Sequence, residues 1–300
     1  MPRRRIVFIG TAQFAVPSLL AVVAAGHDVV LVVTQPDRPA NRLRMTPPPV
    51  KIAAGEAGLE VFQPERLRAP ESVATLRAID ADLFVVAAYG QILSAEVLSL
   101  PARGVLNVHA SLLPRWRGAA PVVHAILAGD ERTGVTIMQM DEQLDHGPIL
   151  ATQETPIGLQ ETAPELTERL AALGANLLVD TIAKLDVVEP QEQDHSLATR
   201  AGKLSRSDGE LEWDLDATEL DRRVRALNPW PGVTLTLAGR RVKVLHGHLG
   251  SGEGRPGTVL QIDGPSVAVA AGRGAYVLDE VQLAGGKPVT AAATVHPHGN

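Results

Sequence analysis

The sequence predicts an α/β protein: a doubly wound, mostly parallel sheet of Rossmann-like type, followed by a small OB-like β-barrel. Three observations predict it. In the first half, apolar runs alternate with helical patterns, as in parallel strands joined by crossover helices. The run LFVVAA after Asp82 is apolar without a break, as a strand covered on both faces must be. Beyond Gly232, short alternating runs are separated by glycine-rich turns, the spacing of a small barrel.

The elements follow in order. A first strand is read over 4–9, ending in a glycine turn at Gly10, and a helix over 15–25 closes at Gly26. DVVLVV (28–33) is the second strand. A helix over 50–58 ends at Gly58, EVFQ (60–63) is a short strand, and a helix spans 70–79. DLFVVAA (82–88) and GVLNVHA (104–110) are the next strands. GVTIMQM (134–140) and GPILATQETPI (147–157) read as an antiparallel pair. Over 162–185, Leu166, Leu170, Leu173, Leu177, Leu178 and Ile182 keep a helical period. Periodicity is lost over 189–209. The expected division is a first domain at 1–188, a linker at 189–205 and a second domain at 206–300. The barrel strands are read at 233–239, 240–249, 257–263, 266–272 and 275–283.

Composition narrows the function. The 300 residues include no cysteine, which excludes disulfides, thiolate metal sites and a thiol nucleophile and fits a cytoplasmic protein. No apolar run is long enough to span a bilayer. Arg3, Arg4 and Arg5 precede a strand and a glycine turn, not the apolar segment of a signal peptide. Hydrophobic residues make up 45% and aromatics 3%, so the core is built from Val, Leu, Ile and Ala. The net charge of −6 is uneven: residues 151–221 carry −11 and residues 222–300 carry +5. A basic end behind an acidic segment marks either a polyanion-binding domain or a scatter of charge without function.

The stretch NVHASLLPRWRGAAP (107–121) carries the chemistry. Asn107, His109 and Ser111 share one face of a strand whose other face is apolar. Ligands in open α/β sheets bind beyond the carboxyl ends of the strands, and a polar residue inside a covered strand is costly unless paired. Either the two side chains are satisfied within the core or they serve a site; their run into a Pro- and Arg-rich loop favours the site. Asp145, at a turn between two strands, is either an ordinary turn aspartate or the carboxylate that orients the imidazole. An amide, an imidazole and a carboxylate together suffice for acyl transfer without a covalent intermediate. No G-x-G-x-x-G follows the first strand, so the nicotinamide fingerprint is absent. No His and acid pair stands at metal spacing on a helix, and His296 and His298 read as part of a disordered tail, so no metal is expected.

NVHASLLPRWRGAAP resembles the signature of the folate-dependent formyltransferases. The likeness extends to TQPDRPANR (34–42), VVAAYGQIL (85–93), AGDERTGVTIMQMDEQLD (128–145), KLSRSDGELEW (203–213) and NPWPG (228–232), and so covers nearly the whole chain. Within that family it is most similar to the branch acting on methionyl-tRNA. The resemblance implies transfer of the formyl group of 10-formyltetrahydrofolate to the α-amine of initiator methionyl-tRNA, with Asn107, His109 and Asp145 as the catalytic trio. The folate is expected along Ser111, Leu112, Leu113 and Pro114 and along Ala88, Tyr89, Gly90 and Gln91. Ser111 would otherwise be a candidate nucleophile, but family members need no covalent step.

The same resemblance implies that the 34–51 loop enters the tRNA acceptor stem, through Arg38, Arg42, Arg44 and Lys51. Read from the residues alone, that loop is a solvated, proline-rich connection. Arg240, Arg241 and Lys243 fall on barrel strands, and such barrels track nucleic-acid backbones. The chain departs from the family pattern at Asn41 and Leu43, where glycines are usual, and at Thr11-Ala12-Gln13, where Thr-Pro followed by an acid is usual. It departs again at His146, where Thr or Ser is usual and which is expected to cap the turn. After Gly286 it is expected to lack the relatives' final helical segment. A membrane partner is not expected, and a monomer is. The rival enzyme reading is a formyltransferase acting on a sugar-nucleotide amine. A non-catalytic RNA-binding module is the rival from another class, against which the intact trio argues.

Overall fold

The computed structural model describes residues 3–39 and 45–295. The chain divides into two compact units. The first is built from Met1–Pro121, Arg132–Pro156 and Glu165–Ala201; the second from Val122–Glu131, Ile157–Pro164 and Gly202–Asn300. The chain therefore passes between units more than once, whereas the sequence suggests a single linker at 189–205.

In the first unit β1 (Arg5–Gly10), β2 (Asp28–Val33), β5 (Val61–Phe62), β6 (Leu83–Ala87) and β7 (Val105–His109) run parallel, and β9 (Arg132–Gln139) and β10 (Ile149–Pro156) add an antiparallel edge. The order across the sheet is β10-β9-β7-β6-β1-β2-β5. Two-residue pairs complete the unit: β3 (Arg38–Pro39) with β4 (Met45–Thr46), and β8 (Arg117–Gly118) with β11 (Arg200–Ala201). β1 lies inside the sheet between β6 and β2, and Ile6, Val7, Phe8 and Ile9 are fully buried; a strand covered on both faces has no polar side.

The two faces follow the period of two. Val7, Ile9, Leu31, Val33, Phe84, Val86 and Val105 line one, packed with Leu67 and with Val73 and Leu76 of α3 (Pro70–Ala78) and Val97 of α4 (Ala95–Leu98). Asn107 stands opposite Val86 and Met138 in register, and His109 opposite Thr136, so both project from this same face. Val108 projects from the other and meets α6 (Ala163–Ala183), where a Cβ on Gly174 would lie 2.8 Å from Val108 Cγ1. Glycine here lets the helix sit close on the strand that carries the site. The helices α1 (Val16–Ala24) and α2 (Pro49–Glu56) complete the wound layers.

A buried titratable group stands just before β2. His27, just before β2, is 7% exposed and accepts the Arg4 N–H at Nδ1. Burial, helped by the nearby Arg4 charge, holds its pKa below the usual imidazole value. A depressed folded value means that the unfolded chain binds the proton first as pH falls. Stability is therefore fully present above about pH 6.5 and is lost as pH drops through the folded value. Melting curves from pH 7.5 to 5 should show this loss, and His27→Gln should flatten it; an equal slope in both proteins would remove His27 as the cause.

The second unit holds α5 (Pro121–Ala128), of which Val122 onward belongs to it, together with α7 (Ala217–Leu227) and an antiparallel sheet. Its strands are β12 (Val233–Leu237), β13 (Arg240–Gly250), β14 (Val259–Asp263), β15 (Ser266–Ala270), β16 (Ala275–Leu283) and β17 (Pro288–Thr290). The path is β12-β13-β16-β15-β14, with β17 on β16. The long β13 shifts register at His246, the local irregularity by which one strand bends to serve two neighbours. Leu220, Val224 and Leu227 of α7 are buried, while Glu219–Arg223 and Asp221–Arg225 pair along the helix. The C-terminal end does carry a helix, α8 (Ala291–Val295), after β17. That corrects the expectation of an end without one.

Candidate active site

The site lies at the carboxyl edge of β6 and β7, where an α/β sheet presents its ligands. Asn107 and His109 reach it because strand alternation puts both on one face; they are 8% and 6% exposed. Asp145 comes from the β9–β10 connection, in the left-handed region at φ 48°. The structure brings the three together. Asn107 Nδ2 donates to Asp145 Oδ1 at 3.3 Å, and His109 Nδ1 lies 3.7 Å from the same oxygen. The other carboxylate oxygen, Oδ2, accepts the Gly118 N–H at 2.8 Å. His109 Nε2 stands 3.0 Å from the Trp116 carbonyl oxygen, which only accepts, so that nitrogen carries a proton. The second amide hydrogen of Asn107 makes no bond within the described residues. The cluster thus sets one unused amide donor beside an imidazole and a carboxylate, all three nearly shut from water, where such groups act strongly.

The segment after β7 is fixed by internal bonds. Ser111 is fully buried; its Oγ donates to Arg115 O at 2.6 Å, and Thr136 Oγ1 donates to Ser111 O at 2.7 Å. The hydroxyl is therefore spent and is no nucleophile. Leu113 N–H donates to Thr136 Oγ1 at 3.1 Å, and the Leu113–Pro114 peptide is cis. Leu112 and Pro114 are half-buried and Leu113 is buried, so this stretch offers an apolar wall rather than polar groups.

The 88–91 loop works through its backbone. Ala88 and Gly90 are exposed, with φ of 43° and 86°. Tyr89 is buried, its carbonyl accepts from Thr11 Oγ1 and Gln35 Nε2, and burial pushes its phenol up to about 12. Gln91 is turned inward, bonding Leu67 N–H and Glu65 O at 3.1 Å each. A Cβ at position 90 would stand 2.6 Å from Gln35 Nε2, so glycine keeps this edge open.

The basic residues are placed less tightly. Lys51 donates to both oxygens of Asp37 at 2.8 Å; the Gln63 amide and the Lys51 ammonium hold that carboxyl below its usual range. Arg38 is exposed and 3.6 Å from Glu65. Arg42 and Arg44, like Asn41 and Leu43, lie outside the described residues, as do His296 and His298. In the second unit Arg240 is exposed, Arg241 bonds Thr234 Oγ1 at 3.0 Å, and Lys243 donates to Pro229 O at 3.1 Å.

A family model described as formyl transferase matches residues 4–182, and one described as formyl transferase, C-terminal domain, matches 203–298. The chain belongs to the formyltransferase family. Among formyltransferase relatives, the methionyl-tRNA formyltransferase of Xanthomonas axonopodis pv. citri is 52% identical over 96% of this chain and 95% of its own. That of Thiobacillus denitrificans is 50% identical, and that of Chromobacterium violaceum 47%, each over 96% of this chain and 95% and 94% of their own. Solved structures of similar fold include HypX from Aquifex aeolicus in complex with tetrahydrofolic acid, with a TM-score of 0.69 at 16% identity. That match covers 98% of this chain and 47% of HypX, so this chain spans about half of HypX's length. An N-formyltransferase from Helicobacter canadensis in complex with folinic acid and dTDP-3-aminofucose also gives 0.69 at 16% identity, over 93% of this chain and 98% of its own. At that identity these two speak to fold alone.

Sequence reasoning missed the residues that hold Asn107, His109 and Asp145 in place. Gly118 supplies the N–H on Asp145. Gln193 donates to Asp145 O and Gly147 O at 3.0 and 2.7 Å. His146 does not cap the turn: the Asp141 carboxylate does, accepting the Gln143 N–H at 2.8 Å, while His146 Nδ1 bonds Asp141 at 2.6 Å. The place of Gly118 inside the 107–121 stretch was the one available signal; nothing local marks Gln193.

Proposed function

We propose that this chain transfers the formyl group of 10-formyltetrahydrofolate to the α-amine of initiator methionyl-tRNA. The observation that carries this reading is the convergence of Asn107, His109 and Asp145 in a chain about half identical, over nearly its full length, to methionyl-tRNA formyltransferases. The donor fits the carboxyl edge: Ala88–Gln91 would meet it with backbone groups and Ser111–Pro114 with an apolar wall. When bound, it supplies an activated formyl carbon.

The chain's own residues do the rest. Asn107 gives its unused amide hydrogen to the formyl oxygen, where negative charge develops. His109 takes up the proton of the attacking amine and, so charged, adds a second donor; tetrahydrofolate leaves as its bond to the formyl carbon breaks and the new amide remains on methionine. Asp145, 3.7 Å from Nδ1, supplies the counter-charge beside an imidazolium. No covalent step is needed, and the spent Ser111 hydroxyl agrees with that. Among the described residues no group of His, Cys, Asp and Glu could hold a metal, and no helix is long and apolar enough to cross a membrane. A cytoplasmic monomer belongs to this reading. A single-turnover assay with labelled formyl donor tests it: label should enter methionyl-tRNA and not the same tRNA with its α-amine blocked, and equal labelling of both would overturn it.

For the tRNA, Arg38, Arg42, Arg44 and Lys51 would act on the acceptor stem and Arg240, Arg241 and Lys243 on the backbone. Phosphate contacts set affinity and register rather than chemistry. Arg42→Ala should raise the KM for methionyl-tRNA roughly fivefold and leave the KM for the formyl donor unchanged. A change confined to the donor KM would contradict the assignment.

A further inference from the structure

Gln193 is 5% exposed although it lies in the polar stretch EPQEQD. Every hydrogen-bonding capacity of its side chain is used. Nε2 donates to Asp145 O at 3.0 Å and Gly147 O at 2.7 Å; Oε1 accepts from Arg117 Nε at 3.1 Å and Nη2 at 2.6 Å. The amide can point only this way, because carbonyls only accept and a guanidinium only donates.

The bracing continues outward. Arg117 Nη2 also reaches His195 Nδ1 at 2.8 Å. That nitrogen must be the acceptor, so His195 is neutral with its proton on Nε2. The His195 ring lies flat on His146, with centroids 4.0 Å apart and planes 9° from parallel. His146 is the neighbour of Asp145 and is itself tied to Asp141. The Asp145 loop is therefore held from two sides by one network.

Asp145 needs such support. A residue with a side chain rarely holds φ near 48° unless its surroundings impose it. The two bonds from Gln193 fall on the carbonyls of residues 145 and 147, flanking the strained peptide. They fix the backbone from which the carboxylate aims at Asn107 and His109.

We propose that Gln193 is a positioning residue for Asp145, braced by Arg117 and by the His146–His195 stack. This rests on the reading of Asp145 as one of the catalytic trio. A group held about 1 Å from its productive place can lose a hundredfold in rate, so the position of this loop is worth a residue with no part in the chemistry.

The test uses the full-length enzyme and both substrates. Gln193→Glu keeps the size and the acceptor face toward Arg117, but sets an oxygen against two carbonyls. Its kcat should fall about thirtyfold, with both KM values within about twofold of the parent. In an Asp145→Asn background the same change should cost less than about twofold more, because both act through one carboxylate. Full turnover in folded Gln193→Glu, or a loss that adds fully to that of Asp145→Asn, overturns the proposal. Full turnover in Asp145→Asn overturns the reading of Asp145 itself and the proposal with it. Should Gln193→Glu not fold, His195→Ala carries the test from the exposed end of the network. It should lower kcat about threefold at unchanged KM, and an unchanged kcat would overturn the bracing.

Discussion

His109→Ala is expected to lower kcat by about a hundredfold or more, and Asn107→Ala by a similar factor. The two act differently. His109 moves protons and, when charged, donates to the developing oxyanion, so its loss removes both services. Asn107 has one hydrogen on Asp145 and one to spare, so its loss removes a donor and frees the carboxylate. Both side chains stand on the face that α3 covers, but at its carboxyl end, and their bonds run to Asp145 and the Trp116 carbonyl rather than into the apolar cluster, so the folded state should survive. Melting curves run beside the kinetics check this. Near-parental turnover in either folded variant would remove that residue from the trio.

Gly118→Ala is expected to damage stability and turnover together. Gly118 has φ +125°, a region that residues with a side chain avoid. A Cβ there would stand 2.3 Å from the Ala201 carbonyl oxygen, which is backbone and cannot swing aside. The pairing of β8 with β11 must open, at a cost of about 3 kcal/mol. The same shift withdraws the N–H that holds Asp145 Oδ2 at 2.8 Å. Thermal melting should move down by several degrees, and kcat should fall about thirtyfold at temperatures where the protein remains folded. A variant that melts lower at full turnover would show that the Gly118 N–H does not set the carboxylate.

The sheet, and the place of Asn107 and His109 at its edge, were legible because both are local signals. β1, β2 and β6 are short apolar runs between turn residues, and burial on both faces leaves no other way to place them. Asn107 and His109 stand out because a buried strand does not otherwise tolerate an amide and an imidazole. Legibility fails where tertiary contact decides. PVVHAILA forms α5, but it is apolar nearly all round and shows no face. ATELDRRVRAL forms α7, and there a signal was present and missed: Ala217, Leu220, Val224 and Leu227 recur at helical spacing and are buried. Gln193 reads as solvated linker; its burial depends on Arg117 and on a loop some 48 residues earlier. Gly118 reads as part of a basic loop, since only the later arrival of Ala201 demands glycine there.

On this reading the site formylates the amine of methionine on tRNA rather than a small amine. One measurement tests it most directly: formyl transfer from 10-formyltetrahydrofolate in a single mixture holding methionyl-tRNA and a sugar-nucleotide amine, with both products counted. The expected product is N-formylmethionyl-tRNA, lowered about a hundredfold in His109→Ala, with no formylated sugar above background. Formylated sugar with untouched methionyl-tRNA would contradict it.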